Sequence, residues 1–358
     1  MKLLNNSTYA VIVAGGSGTR LWPMSRKDLP KQMQKFISDK TLIDETYQRL
    51  VGVFHQQNIY VATTANYKDK IQELLPDIDS KNIIVEPEAR GTTAAFALFS
   101  ATIAAKDPEA IIFSLASDHA VTDIEKFQTT IRHAVAEIEE HPKQIAIVGI
   151  KPTRADTGLG YIKIGKTINS DHNCYQVEKF VEKPSHEVAK VYYESGEYLW
   201  NTAYYCYKAK TLLAAYADAD PKITDSVKAY LKSGDKADFQ AIPNTAHEIE
   251  IINSQKFPIL GIAADFDWSD IGNWQALHSL LKSLTGKDLI ESSSSHIDIN
   301  SSNCLIMAQE DKLIATVGLN NIVVVETPDV LLVMNKEQPQ EIKELLNIIK
   351  AKGLERYL

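Results

Sequence analysis

A glycine-rich segment near the N-terminus carries the clearest chemical motif of the sequence. It reads Ala14-Gly15-Gly16-Ser17-Gly18-Thr19-Arg20-Leu21-Trp22-Pro23 and directly follows a short apolar run. Glycines let backbone N–H groups approach phosphate closely, because no Cβ stands in the way. Although the chain has a net charge of −8, five basic residues lie in or shortly after this segment, namely Arg20, Arg26, Lys27, Lys31 and Lys35. We expect this segment to bind a phosphorylated ligand, the alternative being a generic glycine turn followed by a solvated basic face.

The spacing of the loop excludes two common phosphate-binding motifs. A Walker loop requires Gly-Lys-Ser/Thr after four intervening residues, and the dinucleotide fingerprint requires a third glycine where Leu21 stands. A dehydrogenase is therefore disfavoured, although Asp39 and Asp44 stand near the position of that fold's acidic residue.

Two carboxylates in separate parts of the chain are candidate metal ligands. Asp118 follows an apolar run in Ala116-Ser117-Asp118-His119, where a helix-capping role is the alternative, and Asp270 lies in Trp268-Ser269-Asp270-Ile271-Gly272. Two carboxylates together with phosphate oxygens and water suit Mg²⁺, which prefers an oxygen shell. We predict Asp118 and Asp270 as Mg²⁺ ligands and assign His119 a structural role, because imidazole is a poor partner for this ion.

Apolar runs and amphipathic stretches alternate through the first half of the chain. Strands are predicted at residues 9–14, 59–63, 111–115 and 145–150, and helices at 66–75, 92–105 and 124–140. This alternation predicts an α/β fold with a Rossmann-like, mostly parallel sheet, whose ligands gather at the carboxyl ends of the strands. Antiparallel strands at 158–165 and 175–180, followed by a helix at 186–194, are expected to cover the open edge of the sheet.

The C-terminal part predicts a small β-rich appendage. A helix at 273–284 precedes a serine-rich linker or turn-rich segment at 291–302, short strands at 304–307, 312–317, 322–325 and 330–334, and a last helix at 340–352. We expect a catalytic domain at 1–286 and a C-terminal β domain at 287–358. The evenly spaced strands of the C-terminal domain are compatible with a partial left-handed β-helix, which is an alternative to a simple β appendage. A homodimer is predicted through this region, because an exposed edge such as residues 322–325 needs covering.

Composition narrows the class of protein. The chain has 358 residues, of which 44% are hydrophobic, and its negative net charge argues against nucleic-acid binding. Its three cysteines lack Cys-x-x-Cys spacing, and no apolar run approaches the roughly 20 residues of a membrane span. We expect a cytoplasmic protein with no membrane partner.

The motifs resemble those of the nucleoside-diphosphate-sugar pyrophosphorylases, which carry Gly-Gly-x-Gly-Thr-Arg-Leu and a downstream Pro-Lys, here Pro30-Lys31. The residues at 22–26 and 30–32 resemble the guanylyltransferase branch, and the likeness extends from about residue 9 through the C-terminal strands. The resemblance implies a nucleotide-diphospho-sugar transferase fold, GTP and mannose 1-phosphate as substrates, and Mg²⁺ as the cofactor. It also implies in-line attack of the sugar phosphate on the α-phosphorus of GTP, with release of pyrophosphate.

The resemblance assigns roles to individual residues. Arg20 and Lys31 are the expected catalytic cations. The expected nucleotide-binding residues are Ala14, Gly15, Gly16, Ser17, Gly18, Thr19, Glu86, Arg90, Gly91, Thr92 and Asp118. The expected sugar-phosphate-binding residues are Gly160, Glu182, Lys183 and Asn201.

Several recognition positions depart from the family pattern. Gly91, Ala94, Ala116 and Leu159 replace other residue types, and Thr202-Ala203 replaces Ser-Gly. His247-Glu248 stands where the family has Asp-Tyr, so Glu248 or Glu250 is the candidate replacement for the lost acid. These departures leave two alternatives open, a transferase for another nucleotide and hexose phosphate, and a non-catalytic homologue that binds nucleotide sugar.

Overall fold

The computed structural model describes residues 2–16, 18–251, 257–291, 296–308 and 313–358. The chain divides into two compact units. The first comprises Met1–Gly15, Thr46–Ser117 and Val121–Trp268, and the second comprises Gly16–Glu45, Asp118–Ala120 and Ser269–Leu358. Among the described residues, no helix is both long enough and apolar enough to cross a lipid bilayer.

The strands are β1 (Thr8–Ala14), β2 (Ile59–Thr64), β3 (Ile83–Glu86), β4 (Ile111–Ala116), β5 (Ala120–Val121), β6 (Ile145–Ile150), β7 (Tyr161–Asn169), β8 (Cys174–Val181), β9 (Tyr198–Lys208), β10 (Ile259–Ala264), β11 (Trp268–Ser269), β12 (Ile290–Glu291), β13 (His296–Ile299), β14 (Leu305–Ala308), β15 (Ile314–Val317), β16 (Ile322–Glu326) and β17 (Leu331–Asn335).

The helices are α1 (Leu42–Leu50), α2 (Lys68–Leu74), α3 (Gly91–Lys106), α4 (Ile124–Glu140), α5 (His186–Ser195), α6 (Ala209–Ala219), α7 (Pro221–Ser233), α8 (Lys236–Gln240), α9 (His247–Ile251), α10 (Trp274–Thr285) and α11 (Glu341–Ala351).

The first unit is built on a mostly parallel sheet. Its described strands follow the order β3-β2-β1-β4-β9-β6-β10-β8-β7, in which β3, β2, β1 and β4 run parallel and β9 runs antiparallel to both neighbours. Strands such as β6, which is buried at every position, are rich in Val and Ile because both faces of the sheet are covered. The predicted fold class is confirmed.

The antiparallel strands predicted at the open edge become part of the sheet. β8 pairs with β10, and β7 pairs with both β8 and β9. The expected insertion therefore extends the sheet by hydrogen bonding.

Two helices of the first unit show how local sequence determines helix position. α4 begins after Asp123, whose carboxylate accepts a hydrogen bond from the Lys126 backbone N–H at 3.0 Å, and its buried face carries Phe127, Ile131 and Ile138. α3 is apolar around most of its circumference, because it is buried within the core of the unit.

The second unit contains stacked parallel strands. Leu305 of β14 pairs with Val323 of β16, and His296 of β13 pairs with Ile314 of β15, at the same 18-residue offset. This constant offset is typical of successive coils of a β-helix. The predicted C-terminal β-rich region and its closing helix are confirmed.

Two expectations for this region were wrong. The serine-rich segment 291–302 is not simply a linker, because β13 lies within it; its residues 292–295 lie outside the described residues. The strand predicted at 322–325 as an exposed edge is β16, which lies between β14 and β17. An exposed edge at β16 therefore no longer supports a homodimer, which stays a prediction. The predicted domain boundary at residue 286 also stays a prediction.

Tryptophans from the predicted motifs help to build the core of the second unit. Trp274 is fully buried and donates its indole N–H to the Trp22 carbonyl at 3.0 Å. The Trp22 indole in turn donates to the Tyr357 carbonyl at 2.6 Å. Each indole N–H group thus has a hydrogen-bond acceptor, while the rings pack among aliphatic side chains such as Leu277 and Ile342.

Candidate active site

A polar cavity in the second unit brings together several of the predicted site residues. Its volume is about 330 Å³, and its lining residues are Gly18, Thr19, Arg20, Lys31, Asp118, His119, Asp270 and Gly272. Both predicted catalytic cations and both predicted metal ligands therefore face one space.

Lys31 is the most buried cation of this cavity. It belongs to a single 3₁₀ turn, Lys31–Met33, and is 5% exposed. Its ammonium lies 2.8 Å from the Asp118 carboxylate and also donates to the Asp270 carbonyl. Such partners are necessary, because a buried charge without them is strongly destabilising. Burial by itself raises the pKa of Asp118, but Lys31, followed by His119, holds it below its usual value.

Gly18 is required by the close approach of the loop to Lys31. Its φ is +60°, and a Cβ built on it would lie 2.3 Å from the Lys31 Cβ. In contrast, a Cβ on Gly15 or Gly16 would have no described atom within 4 Å. The first two glycines therefore border open space, whereas the third packs against the Lys31 side chain. Ser17, which precedes Gly18, lies outside the described residues.

Arg20 and Arg26 differ in their environment. Arg20 is exposed in the turn Thr19–Leu21, and its guanidinium has no side-chain partner among the residues that the structure describes. Arg26 instead makes two hydrogen bonds to the Asp329 carboxylate at 2.7 and 2.5 Å. Arg20 is thus available to an anionic ligand, while Arg26 connects two segments of the second unit.

The donor set of the cavity fits a hard divalent cation. Asp118 and Asp270 supply carboxylate oxygens, which Mg²⁺ and Ca²⁺ prefer over nitrogen ligands. Asp270 is held by the Gly272 N–H, 3.2 Å from its Oδ1, and a Cβ on Gly272 would lie 2.6 Å from its Oδ2. His119, to which the sequence assigns a structural role, is buried and also lines the cavity.

The predicted nucleotide residues of the first unit lie where parallel strands end. Ala14 closes β1, and its carbonyl accepts from the Thr63 hydroxyl at 2.9 Å. Glu86 closes β3, is 5% exposed, and has no side-chain partner among the described residues. Burial raises the pKa of Glu86 to about 8. Such a carboxyl group is costly unless a ligand supplies a donor.

The other residues predicted to bind the nucleotide contact a segment that is distant in sequence. The sequence alone did not predict this contact. Arg90 donates its Nε–H to the Ile242 carbonyl, and Thr92 accepts from the His247 N–H at 2.8 Å. Gly91 has φ +76°, and a Cβ there would lie 2.4 Å from the Thr245 carbonyl oxygen. Two departures from the family pattern, Gly91 and His247, therefore belong to one set of contacts.

The structure brings the predicted sugar-phosphate residues together in the first unit. Asn201 donates its backbone N–H to the Gly160 carbonyl at 2.8 Å, and a Cβ on Gly160 would lie 2.9 Å from Glu182 Oε2. Lys183, with φ +44°, contacts the Glu182 carboxylate, and about half of each side chain is exposed. This cluster offers a cation, a carboxylate and an amide to a ligand.

Further polar residues beside this cluster were missed or only partly anticipated. The Tyr205 hydroxyl donates to Glu248 at 2.7 Å and also interacts with the Asn201 side chain. His247 is fully buried, stacks on Phe96 with ring centroids 4.3 Å apart, and has a pKa lowered to about 3 by burial. The departure at 247–248 was the only sequence signal for this group.

A mostly parallel α/β sheet, together with a polar cavity lined by cations and carboxylates, is typical of nucleotide-dependent transferases. The chain belongs to the nucleotidyl transferase family, whose model matches residues 9–287. A second model, described as a MannoseP isomerase/GMP-like beta-helix domain, matches residues 294–348.

Relatives with assigned names match almost the whole chain. Mannose-1-phosphate guanylyltransferase of Klebsiella pneumoniae is 34% identical over 362 residues, which cover 97% of this chain and 75% of the relative. The protein of the same name from Escherichia coli is 34% identical with the same coverage. A crystal structure titled mannose-1-phosphate geranyltransferase, from Thermus thermophilus, superposes with a TM-score of 0.87 at 26% identity, covering 96% of this chain and 99% of that one.

Proposed function

We propose that this protein transfers a guanylyl group from GTP to mannose 1-phosphate, which yields GDP-mannose and pyrophosphate. The observation that carries the proposal is the ion pair between the buried Lys31 and the half-buried Asp118, in a polar cavity that also contains Arg20 and Asp270. The names of the relatives support the choice of guanylyl group and mannose.

The cations of the cavity are suited to phosphoryl chemistry. Such reactions depend on positioning and on fixed positive charge near the phosphate oxygens, and Lys31 is held in place by two acceptors. Arg20 adds an exposed guanidinium that can bind two oxygens at once. The attacking sugar phosphate is already an anion, so no general base is assigned.

Asp118 and Asp270 are the residues that would hold a metal ion. Divalent metal ions are used generally in this family, and we propose Mg²⁺. When bound, this ion would neutralise phosphate charge and orient the nucleotide. Lys31 holds the pKa of Asp118 below its usual value, which favours the ionised form that a metal ligand needs.

Glu86 supports guanine as the base. Guanine presents two neighbouring N–H donors on one edge, which an ionised carboxylate can accept together, whereas adenine lacks this pair. Two such donors favour the ionised form of Glu86 and would offset the burial that raises its pKa in the free protein. A buried acceptor left without a donor costs about 1 to 3 kcal/mol, which is enough for selectivity. We propose that Glu86 accepts from the guanine edge.

The sugar phosphate is assigned to the cluster around Asn201. Lys183 would pair with the phosphate, Glu182 would accept from sugar hydroxyls, and Gly160 leaves room because a side chain there would collide with Glu182. Glu248, linked to Asn201 through Tyr205, is the proposed substitute for the acid that the family pattern places at this point.

Pyrophosphate release tests the proposal directly. Purified protein with Mg²⁺ is given GTP, ATP, UTP or dTTP, each with mannose 1-phosphate or glucose 1-phosphate. We expect release chiefly with GTP and mannose 1-phosphate, strongly reduced in Asp270→Asn and retained in Asp265→Asn, whose carboxylate is exposed. No release with any pair, despite binding of nucleotide sugar, would overturn the proposal.

A transferase for another nucleotide or hexose phosphate is the second candidate. The contacts of Gly91 with Thr245 and of Thr92 with His247 favour it, because two residue types that depart from the family pattern meet in the region expected to line the base. Preferred release with a different substrate pair in the same assay would establish it.

A further inference from the structure

A second cluster of ligating side chains lies at the C-terminal end of α4. We propose that Glu137, Glu140 and His141 bind a transition-metal dication of the Zn²⁺ type. None of these residues belongs to the predicted reaction site. One ligand atom from each lies within 4.8 Å of the other two.

The helix arranges these ligands. Glu137 and His141 are four residues apart, so they occupy one face of α4 and its C-cap, and Glu140 is the last helical residue. His141 Nε2 lies 3.8 Å from Glu137 Oε2. This separation is too long for a hydrogen bond, but a small inward movement of the exposed ligands would allow both atoms to coordinate one ion.

Glu137 points to a missing ligand. It is fully buried, and its Oε1 accepts from Asn169 Nδ2 at 2.7 Å and lies 2.6 Å from His172 Nδ1. Its Oε2 has no hydrogen-bond partner among the described residues. Buried carboxylate oxygens are rarely left in this state, because desolvation is not compensated. Hydrogen bonds thus hold Oε1 in place, while Oε2 faces the cluster. Carboxylates that bind metals are commonly oriented in this way by residues that do not themselves touch the ion.

The electrostatic setting favours a cation that enters from solvent. The C-terminus of a helix carries partial negative charge, and α4 has 17 residues. Glu140 is exposed and His141 is half-buried, so these two ligands provide access from solvent to the buried one.

The ligand types select the ion. Two carboxylates and one imidazole, with water in the remaining position, suit Zn²⁺, whereas Mg²⁺ favours oxygen ligands alone.

Calorimetric titration of the full chain with Zn²⁺, in buffer that contains excess Mg²⁺, tests the site. We expect one Zn²⁺ per chain in this titration, and an affinity loss of roughly tenfold or more in His141→Ala and in Glu140→Gln. Asn169→Ala, which removes a donor to Glu137 but no ligand, is expected to weaken binding by roughly 10- to 100-fold. His186→Ala, at an exposed histidine, is the matched control and should bind as the parent does.

Thermal unfolding distinguishes the loss of a metal ligand from a loss of folded structure. Zn²⁺ that binds only the native state raises the Tm of the parent, and this rise should disappear in His141→Ala and Glu140→Gln, whose metal-free Tm should match the parent. Zn²⁺ affinity that is unchanged in both variants would overturn the proposal, and so would the absence of Zn²⁺ binding by the parent.

Discussion

The polar cavity of the second unit and the residues proposed to contact the base in the first unit differ in how their side chains are held. In the cavity, Lys31 contacts both Gly18 and Asp118, and all three belong to recognisable motifs. In the first unit, Gly91 and Thr92 depend on Thr245 and His247, which lie more than 150 residues away in a segment that departs from the family pattern.

This difference indicates where variation is tolerated. Charge neutralisation requires particular residue types in a fixed arrangement, so the cavity retains the family pattern. Recognition depends on shape and on hydrogen bonds that neighbouring segments can supply in more than one way. The departures at Gly91 and His247 accordingly occur together in one contact region.

Replacing Lys31 should have the largest effect. Lys31→Met removes the ammonium that faces the cavity, and loss of one preorganised charge or donor lowers kcat by about 10²- to 10³-fold. Lys35→Met, at an exposed neighbour, should leave activity close to that of the parent. Pyrophosphate release at saturating substrate measures both variants, and equal activities would contradict the role of Lys31.

The glycines of the loop should respond differently to the same substitution. Gly18→Ala places a methyl group 2.3 Å from the Lys31 Cβ at φ +60°, which should cost about 1 to 3 kcal/mol of stability. Gly16→Ala meets no described atom and should leave the Tm unchanged while it raises the KM for nucleotide. Thermal unfolding and steady-state kinetics separate the two outcomes, and equal Tm losses would show that Gly16 also supports a backbone contact.

Motif-based prediction succeeded where local sequence determines the structure. β6 and α4 begin and end at the predicted residues, because a short apolar run rich in Ile and an Asp123 cap determine their bounds locally. The Lys31–Asp118 contact could only be expected from the family resemblance, since 87 residues separate its partners.

The failures share a physical cause. β13 forms within a serine-rich stretch because pairing with β15 outweighs local propensity. The contact between Gly91 and Thr245 depends on tertiary packing, so the sequence showed only an unexplained glycine. The site residues of the first unit were therefore predicted by type, but their supporting contacts were not.

Glu86 should make the stability of the protein depend on pH. Burial raises its pKa from 4.5 to about 8, so the native state retains a proton that the unfolded state releases. The contribution of Glu86 to the free energy of unfolding therefore falls as pH rises from 4.5 to about 8, by at most about 1.4 kcal/mol per pH unit, and is constant outside that window. Glu86→Gln should lack this fall. Denaturant unfolding of both proteins at about pH 5 and about pH 8 checks the expectation, and parallel pH profiles would contradict it.

The hydroxyl of Tyr205 should contribute the smallest effect and act on the sugar alone. Tyr205→Phe removes the donor to Glu248, a bond of 2.7 Å, and one such hydrogen bond contributes about 0.5 to 1.5 kcal/mol. If Glu248 serves the sugar pocket, the KM for mannose 1-phosphate should rise by roughly 2- to 12-fold, while kcat and the KM for GTP stay unchanged. Tyr207→Phe, whose hydroxyl is 3.3 Å from that of Ser100, is the matched control within the same strand. A change in the KM for GTP alone would place Glu248 with the nucleotide, and recognition of the base would then extend into the segment that carries His247.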